Sequence, residues 1–356
     1  MNHLLPILKQ FCQLAKLQEP FVLATLLHKK GSTYRREGAR MIIRRDGKIS
    51  GLISGGCFEA DLQLHARQVL ESGDPLVIEY DLMNDDDLIW GMGAGCNGAI
   101  LVLLQPMQSA QDYQPYCDLY QQLASGRSVW CLKRLDTTDD HHLEVSTQVF
   151  EDWAQLEVSV PREVLQKLPK ESYKPAYQSH QSCHYYIERL QPATHLLIAG
   201  AGPDVMHLVQ LALPLGWRIT IMDHRPAFLD AYKALPVECI KTRPGAAKAL
   251  LQDSHIDLAM VMSHHLETDE QYLKLLQALP ITYIGLLGPA GRRNQMLKQL
   301  DLSLADFAGR LFSPVGIDMG AESPEEIALS IICEMKIVLA GTSGQSLREK
   351  QRGIHE

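Results

Sequence analysis

The chain has 356 residues, of which 46% are hydrophobic and 21% are charged, and its formal net charge is −8. This size and composition predict a globular protein with two domains, each with its own core. The acidic balance and the lack of a long basic run disfavour a nucleic-acid binder. No apolar stretch of the sequence is long enough for a membrane span.

The first twenty residues predict an amphipathic helix rather than a signal peptide, because Pro6, Lys9 and Lys16 interrupt the apolar pattern. Eight cysteines in a chain of this length fit a reducing compartment. We therefore expect a cytoplasmic protein.

The next segment predicts a strand at 21–27 and a hairpin at 39–53, whose Asp46-Gly47 pair is a tight-turn signal. The hairpin runs into Ser54-Gly-Gly-Cys57, and the apolar spacing over 59–71 predicts a helix. This order places Cys57 near a helix N-terminus, where the helix dipole lowers the pKa of a thiol and favours bound anions. Further strands are expected at 76–80 and 99–104.

Two cysteines lie among glycines, Cys57 in the turn just described and Cys96 in the segment Gly91-Met-Gly-Ala-Gly-Cys-Asn-Gly98. Backbone of this kind approaches a ligand closely and presents amide groups beside a thiolate, which suits soft-metal or sulfur chemistry. A purely structural role as small buried hydrophobes is the alternative for both, and it is the prediction for the other six cysteines.

The stretch 105–191 predicts a helix and a strand at 128–132, and we interpret it as the end of the first domain plus a connector. The predicted domains are 1–190 and 191–345, followed by a polar tail at 346–356. Both domains are then long enough to bury separate cores.

From Thr194 onward the pattern changes to a buried strand at 195–199, a turn at 200–204 and a helix at 205–213. A second strand at 217–222 ends at Asp223, so the segment predicts the opening βαβ unit of a nucleotide-binding fold, with Asp223 placed to bind a ribose. Asp223 is equally suited to cap the turn at Arg225-Pro226. Because Val205 replaces the third glycine of the fingerprint and Pro203 lacks an amide, a dinucleotide and another ligand both remain open.

Polar residues also follow the later strands. His264, His265 and Asp269 come after the strand at 256–262, as proton carriers, metal ligands or an ordinary loop. Arg292 and Arg293 open a helix, where their guanidinium groups would meet a phosphate. Ser323-Pro324-Glu-Glu326 predicts a helix start with a capping box.

Taken in order, these motifs resemble the XdhC/CoxI family, accessory factors for xanthine dehydrogenase and related molybdenum hydroxylases. The resemblance rests on the segments 31–41, 51–61, 91–98, 200–202, 223–225, the region of His264 and 313–326. It implies an α/β chain with an N-terminal α+β XdhC/CoxI-type domain and a C-terminal Rossmann-like doubly wound parallel sheet. This chain has Gly95-Cys-Asn-Gly98 where family members usually have Gly-Cys-Gly-Gly.

The resemblance further implies a chaperone that binds the molybdenum cofactor (molybdopterin), holds it during sulfuration by a cysteine desulfurase and delivers it to the hydroxylase. In that role Cys57 and Cys96, framed by Gly55 and Gly56, would contact molybdenum or relay sulfur. The other candidate cofactor-binding residues are Arg35, Arg36 and Arg40 for the phosphate, and Gly200, Gly202, Asp223 and His264 in the second domain. A homodimer is expected, since a labile cofactor is better shielded between two surfaces.

Three alternatives remain open at the sequence level. An oxidoreductase would bind NAD(P) or another nucleotide at the Gly200 turn and Asp223. A zinc protein would combine Cys57 and Cys96 with His264 or His265, although no typical zinc spacing supports it. A sulfurtransferase would turn over a persulfide on Cys57. We expect a cofactor chaperone rather than a turnover enzyme.

Overall fold

The computed structural model describes residues 4–31, 34–56, 58–81, 98–138, 140, 142–168, 175–251 and 254–349. The chain divides into two compact units, Met1–Ala193 and Thr194–Glu356. Within the described ranges, no helix combines the length and apolar character that a membrane crossing requires. The predicted tail falls partly outside them, since 350–356 is not described.

The first unit begins with a five-stranded antiparallel sheet and three helices. In chain order the elements are α1 (Leu4–Lys16), β1 (Phe21–Gly31), β2 (Arg40–Arg44), β3 (Ile49–Gly51), α2 (Glu59–Ser72), β4 (Leu76–Asp81), β5 (Gly98–Met107) and α3 (Ala110–Ala124). The strand order is β3-β2-β1-β5-β4. The predicted hairpin is confirmed, with Ile43 paired to Ile49 across the Asp46-Gly47 turn.

Strand β1 is buried on both faces, which explains its unbroken apolar sequence. Phe21 and Leu23 pack with α1 and α3 on one face, whereas Val22 and Ala24 pack with α2 on the other. Successive side chains of a strand point to opposite faces, so helices on both sides require apolar residues at every position.

A second antiparallel sheet completes the first unit, and it occupies much of the stretch interpreted as a connector. Its elements are β6 (Val129–Thr137), β7 (Leu143–Phe150), α4 (Trp153–Ser159), α5 (Arg162–Leu165), β8 (Ala176–His180) and β9 (Cys183–Leu190), with strand order β7-β6-β9-β8. Trp130, Leu132 and Ile187 form an apolar cluster with residues of α4 and α5. This sheet has its own core, so the connector interpretation was wrong for these residues.

The second unit is built on a six-stranded parallel sheet. Its strands are β10 (His195–Ala199), β11 (Arg218–Asp223), β12 (Glu238–Lys241), β13 (Leu258–Val261), β14 (Tyr283–Leu286) and β15 (Leu311–Phe312). Its α-helices are α6 (Val205–Ala212), α7 (Pro226–Leu229), α8 (Pro244–Leu251), α9 (Leu266–Gln277), α10 (Ala290–Gln299) and α11 (Pro324–Ala340). Short 3₁₀ turns lie at Leu213–Leu215, Asp230–Tyr232, Leu304–Phe307 and Leu347–Glu349.

The strand order β12-β11-β10-β13-β14-β15 is the doubly wound order 3-2-1-4-5-6, and every pair is parallel. This confirms the predicted Rossmann-like sheet. Helices α6 and α11 cover one face of the sheet, and α8 and α9 cover the other. The predicted capping box of α11 is also present, with Ser323 and Glu326 bonded reciprocally. Strand order reverses between β10 and β13, which places the usual ligand crevice of this fold at their carboxyl ends.

Candidate functional site

The turn that precedes α2 is stabilised by hydrogen bonds of a buried serine and a buried glutamate. The hydroxyl of Ser54 accepts hydrogen bonds from the amides of Gly56 at 3.3 Å and Phe58 at 3.2 Å. It donates to the carboxylate of Glu59, which also accepts from the Ser54 amide at 2.8 Å. Ser54 and Glu59 are both buried, whereas Gly55 and Gly56 are exposed. The turn therefore exposes the backbone of Gly55 and Gly56 to solvent, while hydrogen bonds to Ser54 and Glu59 hold it in place.

Gly56 needs its lack of a side chain for conformational reasons. Its φ is +108°, in the region that residues with a Cβ rarely adopt, although no described residue other than its chain neighbours lies within 4 Å of where a Cβ would be. The backbone conformation thus explains the glycine at position 56, the second of the two before Cys57.

The structure brings Tyr34 against this turn. The ring carbon Cδ2 of Tyr34 lies 3.5 Å from the position that a Cβ on Gly55 would occupy. Arg35 and Arg36 follow Tyr34 directly in the sequence. The contact of Tyr34 with Gly55 brings the segment that begins at Tyr34 to the glycine turn, and binding of the cofactor by Arg35 and Arg36 stays a prediction.

Both candidate cysteines lie outside the described residues. Cys57 is flanked by the described Gly56 and Phe58, while Cys96 belongs to the undescribed stretch 82–97. The roles of both thiols stay predictions.

The start of α2 is anchored by aromatic packing. Phe58 stacks on Tyr80 with ring centroids 4.3 Å apart, and the Tyr80 hydroxyl donates to Asp61 at 2.5 Å. Burial and the neighbouring Asp61 carboxylate raise the pKa of Tyr80, so this phenol stays protonated and keeps its donor role. These contacts fix the direction in which the helix leaves the glycine turn.

Arg40 does not belong to this exposed site, and its assignment to a phosphate needs correction. The side chains of Arg40 and Glu188 are 1% and 2% exposed and form a buried ion pair. Arg40 also donates to the Gly38 carbonyl at 3.2 Å, and Tyr186 donates to Glu188 at 3.1 Å. Burial by itself would lower the pKa of Arg40, but the attraction of Glu188 raises it above its usual value. The positive charge of the guanidinium is thus already balanced by the Glu188 carboxylate inside the core.

In the second unit, Gly200 allows two strand ends to approach closely. Its φ is +118°, and a Cβ there would lie 2.6 Å from the carbonyl oxygen of Met262 at the end of β13. This glycine is therefore required by backbone packing at the point where strand order reverses.

The space above Gly202 is filled by the chain itself. His264 Nε2 lies 2.9 Å from Asp204 Oδ2. A Cβ on Gly202 would come within 2.6 Å of Asp204 Oδ1 and 3.4 Å of His264 Cδ2. His264 adopts a φ of +62°, which is uncommon for a residue with a side chain. An acid and a histidine thus stand where the fingerprint glycine of this fold usually admits a pyrophosphate.

Asp223 is likewise occupied by its own chain. It is 3% exposed, and its carboxylate accepts bonds from the amides of Ala201 and Arg225, each at 2.9 Å. The Arg225 side chain adds two more, at 2.9 and 2.7 Å. Burial alone would raise the pKa of Asp223, but these hydrogen bonds outweigh it and lower the pKa. Of the two roles left open by the sequence, the structure shows the one that fixes the Arg225-Pro226 turn.

These residues do not fit a dinucleotide. The carboxylate of Asp223 already accepts four hydrogen bonds from Ala201 and Arg225, the Asp204 carboxylate lies beside Gly202, and Pro203 offers no amide. The crevice keeps the position of a Rossmann ligand site without the donors that such a ligand requires.

The remaining polar candidates of this crevice serve as structural links. Asp269, which is fully buried, accepts from the Ser263 amide at 3.0 Å and from Arg292 at 2.6 Å. His265 caps α9, and Arg293 donates to the Ser313 carbonyl. Among the described residues, no group of three or more histidine, cysteine, aspartate or glutamate side chains is arranged to hold a metal ion.

The fold and the glycine turns define a protein of the XdhC type. A family model for the XdhC and CoxI family matches residues 14–81, and a model for the XdhC Rossmann domain matches residues 196–335. The chain is 33% identical over 325 residues to a Bacillus subtilis protein whose name describes a probable xanthine dehydrogenase subunit, with 89% of this chain and 93% of the relative covered. The chain belongs to the XdhC and CoxI family, as its sequence motifs predict.

Two further relatives extend the comparison. An Escherichia coli protein named molybdenum cofactor insertion chaperone PaoD is 23% identical over 320 residues, covering 89% of this chain and 83% of the relative. A Bacillus halodurans crystal structure, described as a xanthine dehydrogenase, superimposes with a TM-score of 0.73 at 30% identity. That match covers 94% of this chain and 96% of the other, and it supports the fold across both units.

Sequence reasoning missed three residues that shape the candidate site. Tyr34 belongs to the family segment 31–41, but its contact with Gly55 gave no signal because that contact spans 21 positions and depends on how the hairpin folds. Ser54 and Glu59 carried a weaker signal, since a serine shortly before a glutamate at a helix start is typical of a capping arrangement. Their spacing of five positions, rather than the usual three, obscured it.

Proposed function

We propose that this protein binds the molybdenum cofactor, supports its sulfuration and assists its insertion into xanthine dehydrogenase or a related molybdenum hydroxylase. The observation that carries the proposal is the exposed turn at Gly55 and Gly56, with the ring of Tyr34 against Gly55 and with Arg35 and Arg36 next to Tyr34 in the sequence. The names of the Bacillus subtilis and Escherichia coli relatives support this choice of cofactor and recipient.

The residues at this turn fit the chemistry of the group. Molybdopterin carries a phosphate, which Arg35 and Arg36 would bind through charge-assisted hydrogen bonds. Its sulfur-ligated metal suits soft thiolate ligands, and Cys57 follows Gly56 directly in the chain. The start of α2 adds the positive end of a helix dipole next to the same turn. When bound, the cofactor supplies the redox-active molybdenum, and the role of this chain is to hold and shelter it.

The second domain enters the proposal as a scaffold rather than as a nucleotide site. An NAD(P)-dependent oxidoreductase needs a free ribose acid and an open phosphate turn, and Asp223 and Gly202 provide neither. The oxidoreductase alternative therefore has less support than the chaperone.

The remaining elements of the proposal follow from the lability of the cargo. A cysteine desulfurase would supply the sulfur, with Cys57 or Cys96 as ligand or relay. The protein would act in the cytoplasm, where thiols stay reduced. A homodimer would shield the cofactor between two surfaces, and light scattering during size-exclusion chromatography measures this directly.

The decisive experiment is anaerobic purification from a molybdenum-replete host, with metal analysis and detection of the oxidised pterin released on denaturation. We expect near-stoichiometric molybdenum and pterin in the wild type and loss of both in the double variant Cys57→Ala/Cys96→Ala. Cys183→Ala is the matched control, because Cys183 is a free thiol on β9. A wild type without pterin refutes cofactor binding, and full retention in the double variant refutes the role of the two thiols.

A further inference from the structure

Tyr34 is an exposed aromatic residue in an unusual position. The residue is 60% exposed, whereas Tyr116 and Tyr186 in the same unit are fully buried. The ring atoms Cδ2, Cγ and Cε2 lie 3.5, 3.7 and 3.9 Å from the position of a Cβ on Gly55. The ring therefore lies along the glycine turn and leaves much of its surface to solvent.

Folding does not explain why residue 55 is a glycine. Its φ is not in the left-handed region, unlike that of Gly56. Among the described residues, the three atoms nearest to a Cβ at this position all belong to the Tyr34 ring, at ordinary van der Waals distances. An alanine would thus fit the fold. A bare backbone here keeps the surface beside the ring flat, which is useful where a flat molecule approaches both.

We propose that Tyr34 is the stacking platform for the pterin ring system of the cofactor, with Gly55 keeping the adjoining surface open. This inference rests on the proposed function and names a specificity residue of the same site. A pterin is a planar aromatic heterocycle, and such rings stack favourably on an aromatic side chain. Arg35 and Arg36 would bind the phosphate of any anionic ligand, whereas stacking on Tyr34 would select for the aromatic heterocycle of the cofactor.

The spacing along the turn agrees with this arrangement. Cys57 comes two positions after Gly55 in the sequence. In molybdopterin the two sulfurs that hold the metal are carried on the ring fused to the pterin. With the pterin on Tyr34, the role proposed for Cys57 requires this ring to extend along the turn towards the start of α2.

The test measures binding of metal-free molybdopterin to the full-length protein by the fluorescence of the pterin. Three variants are compared with the wild type, namely Tyr34→Leu, Tyr34→Phe and Phe228→Leu, the last as a matched control at a partly exposed aromatic residue of the other unit. Because the Tyr34→Leu variant loses aromatic stacking, its dissociation constant for metal-free molybdopterin should rise roughly 5- to 150-fold. Tyr34→Phe keeps the ring and should bind within about threefold of the wild type, as should Phe228→Leu. The melting temperature should not change, because residue 34 is exposed.

The outcomes separate this inference from the function on which it rests. A wild type that binds while Tyr34→Leu binds equally well overturns the platform and leaves the chaperone function standing. Equal losses in Tyr34→Leu and Tyr34→Phe also overturn it, since the hydroxyl rather than the ring would then matter. A wild type with no affinity for metal-free molybdopterin overturns the platform, and the metal and pterin analysis of the anaerobically purified protein decides the proposed function separately.

Discussion

Separate replacement of Arg40 and Glu188 by methionine should destabilise the first unit strongly. Each single variant leaves one charge unpaired in a site where both side chains are almost fully buried. Loss of one partner of a buried pair costs about 3–5 kcal/mol. For a unit of this size, that corresponds to a fall in melting temperature of roughly 6–20 °C.

The double variant Arg40→Met/Glu188→Met removes both charges at once and should recover most of the lost stability, because the desolvation penalty of the pair disappears with its attraction. Urea unfolding of all four proteins gives the double-mutant cycle, and hydrogen exchange at β2 and β9 assigns the change to this pair. The coupling should exceed about 2 kcal/mol.

The same proteins distinguish a structural role of Arg40 from a role in phosphate binding. If the pair is structural, the refolded double variant binds the pterin cofactor as the wild type does. Single variants within about 0.5 kcal/mol of the wild type would refute the reasoning from burial. A double variant that is fully stable yet unable to bind cofactor would restore Arg40 as a phosphate ligand.

Three further outcomes are expected. Gly56→Ala should lower the free energy of unfolding, measured in urea, by about 1–2 kcal/mol, because residue 56 has a positive φ. Gly245→Ala, at a position in α8 with open space around it, should leave this free energy unchanged or raise it. Equal effects of the two substitutions would contradict this reasoning. Calorimetric titration with NAD(P)H should show no saturable binding, and submillimolar binding that Asp223→Asn abolishes would contradict the closed crevice. Burial lowers the pKa of His195, so its contribution to stability is present above the unfolded pKa of about 6.5 and is lost as pH falls through the folded-state pKa. His195→Gln should therefore flatten the decline of the urea midpoint on acidification, and an unchanged slope would refute this.

The sequence by itself determined the elements whose signals are local. Apolar runs and a glycine turn in the sequence predict the βαβ unit from His195 to Asp223. The cap of α11 depends on Ser323 and Glu326, which are three residues apart. The hairpin around Asp46-Gly47 is equally local. Such signals survive in a linear sequence because the interacting groups are close along the chain. The order of the family motifs also predicted the order of the two domain types along the chain.

Only the tertiary structure decided which of these residues face a ligand. Arg40 and Glu188 are 148 positions apart, so no local pattern revealed that this arginine is neutralised in the core. Tyr34 reaches Gly55 only once the hairpin has formed. At Asp223, the choice between a ribose and Arg225 depends on where the side chains settle, because the same carboxylate satisfies either set of donors. Charge and residue type can thus be read along the chain, but availability to a ligand is set by burial and by competing partners that folding brings together.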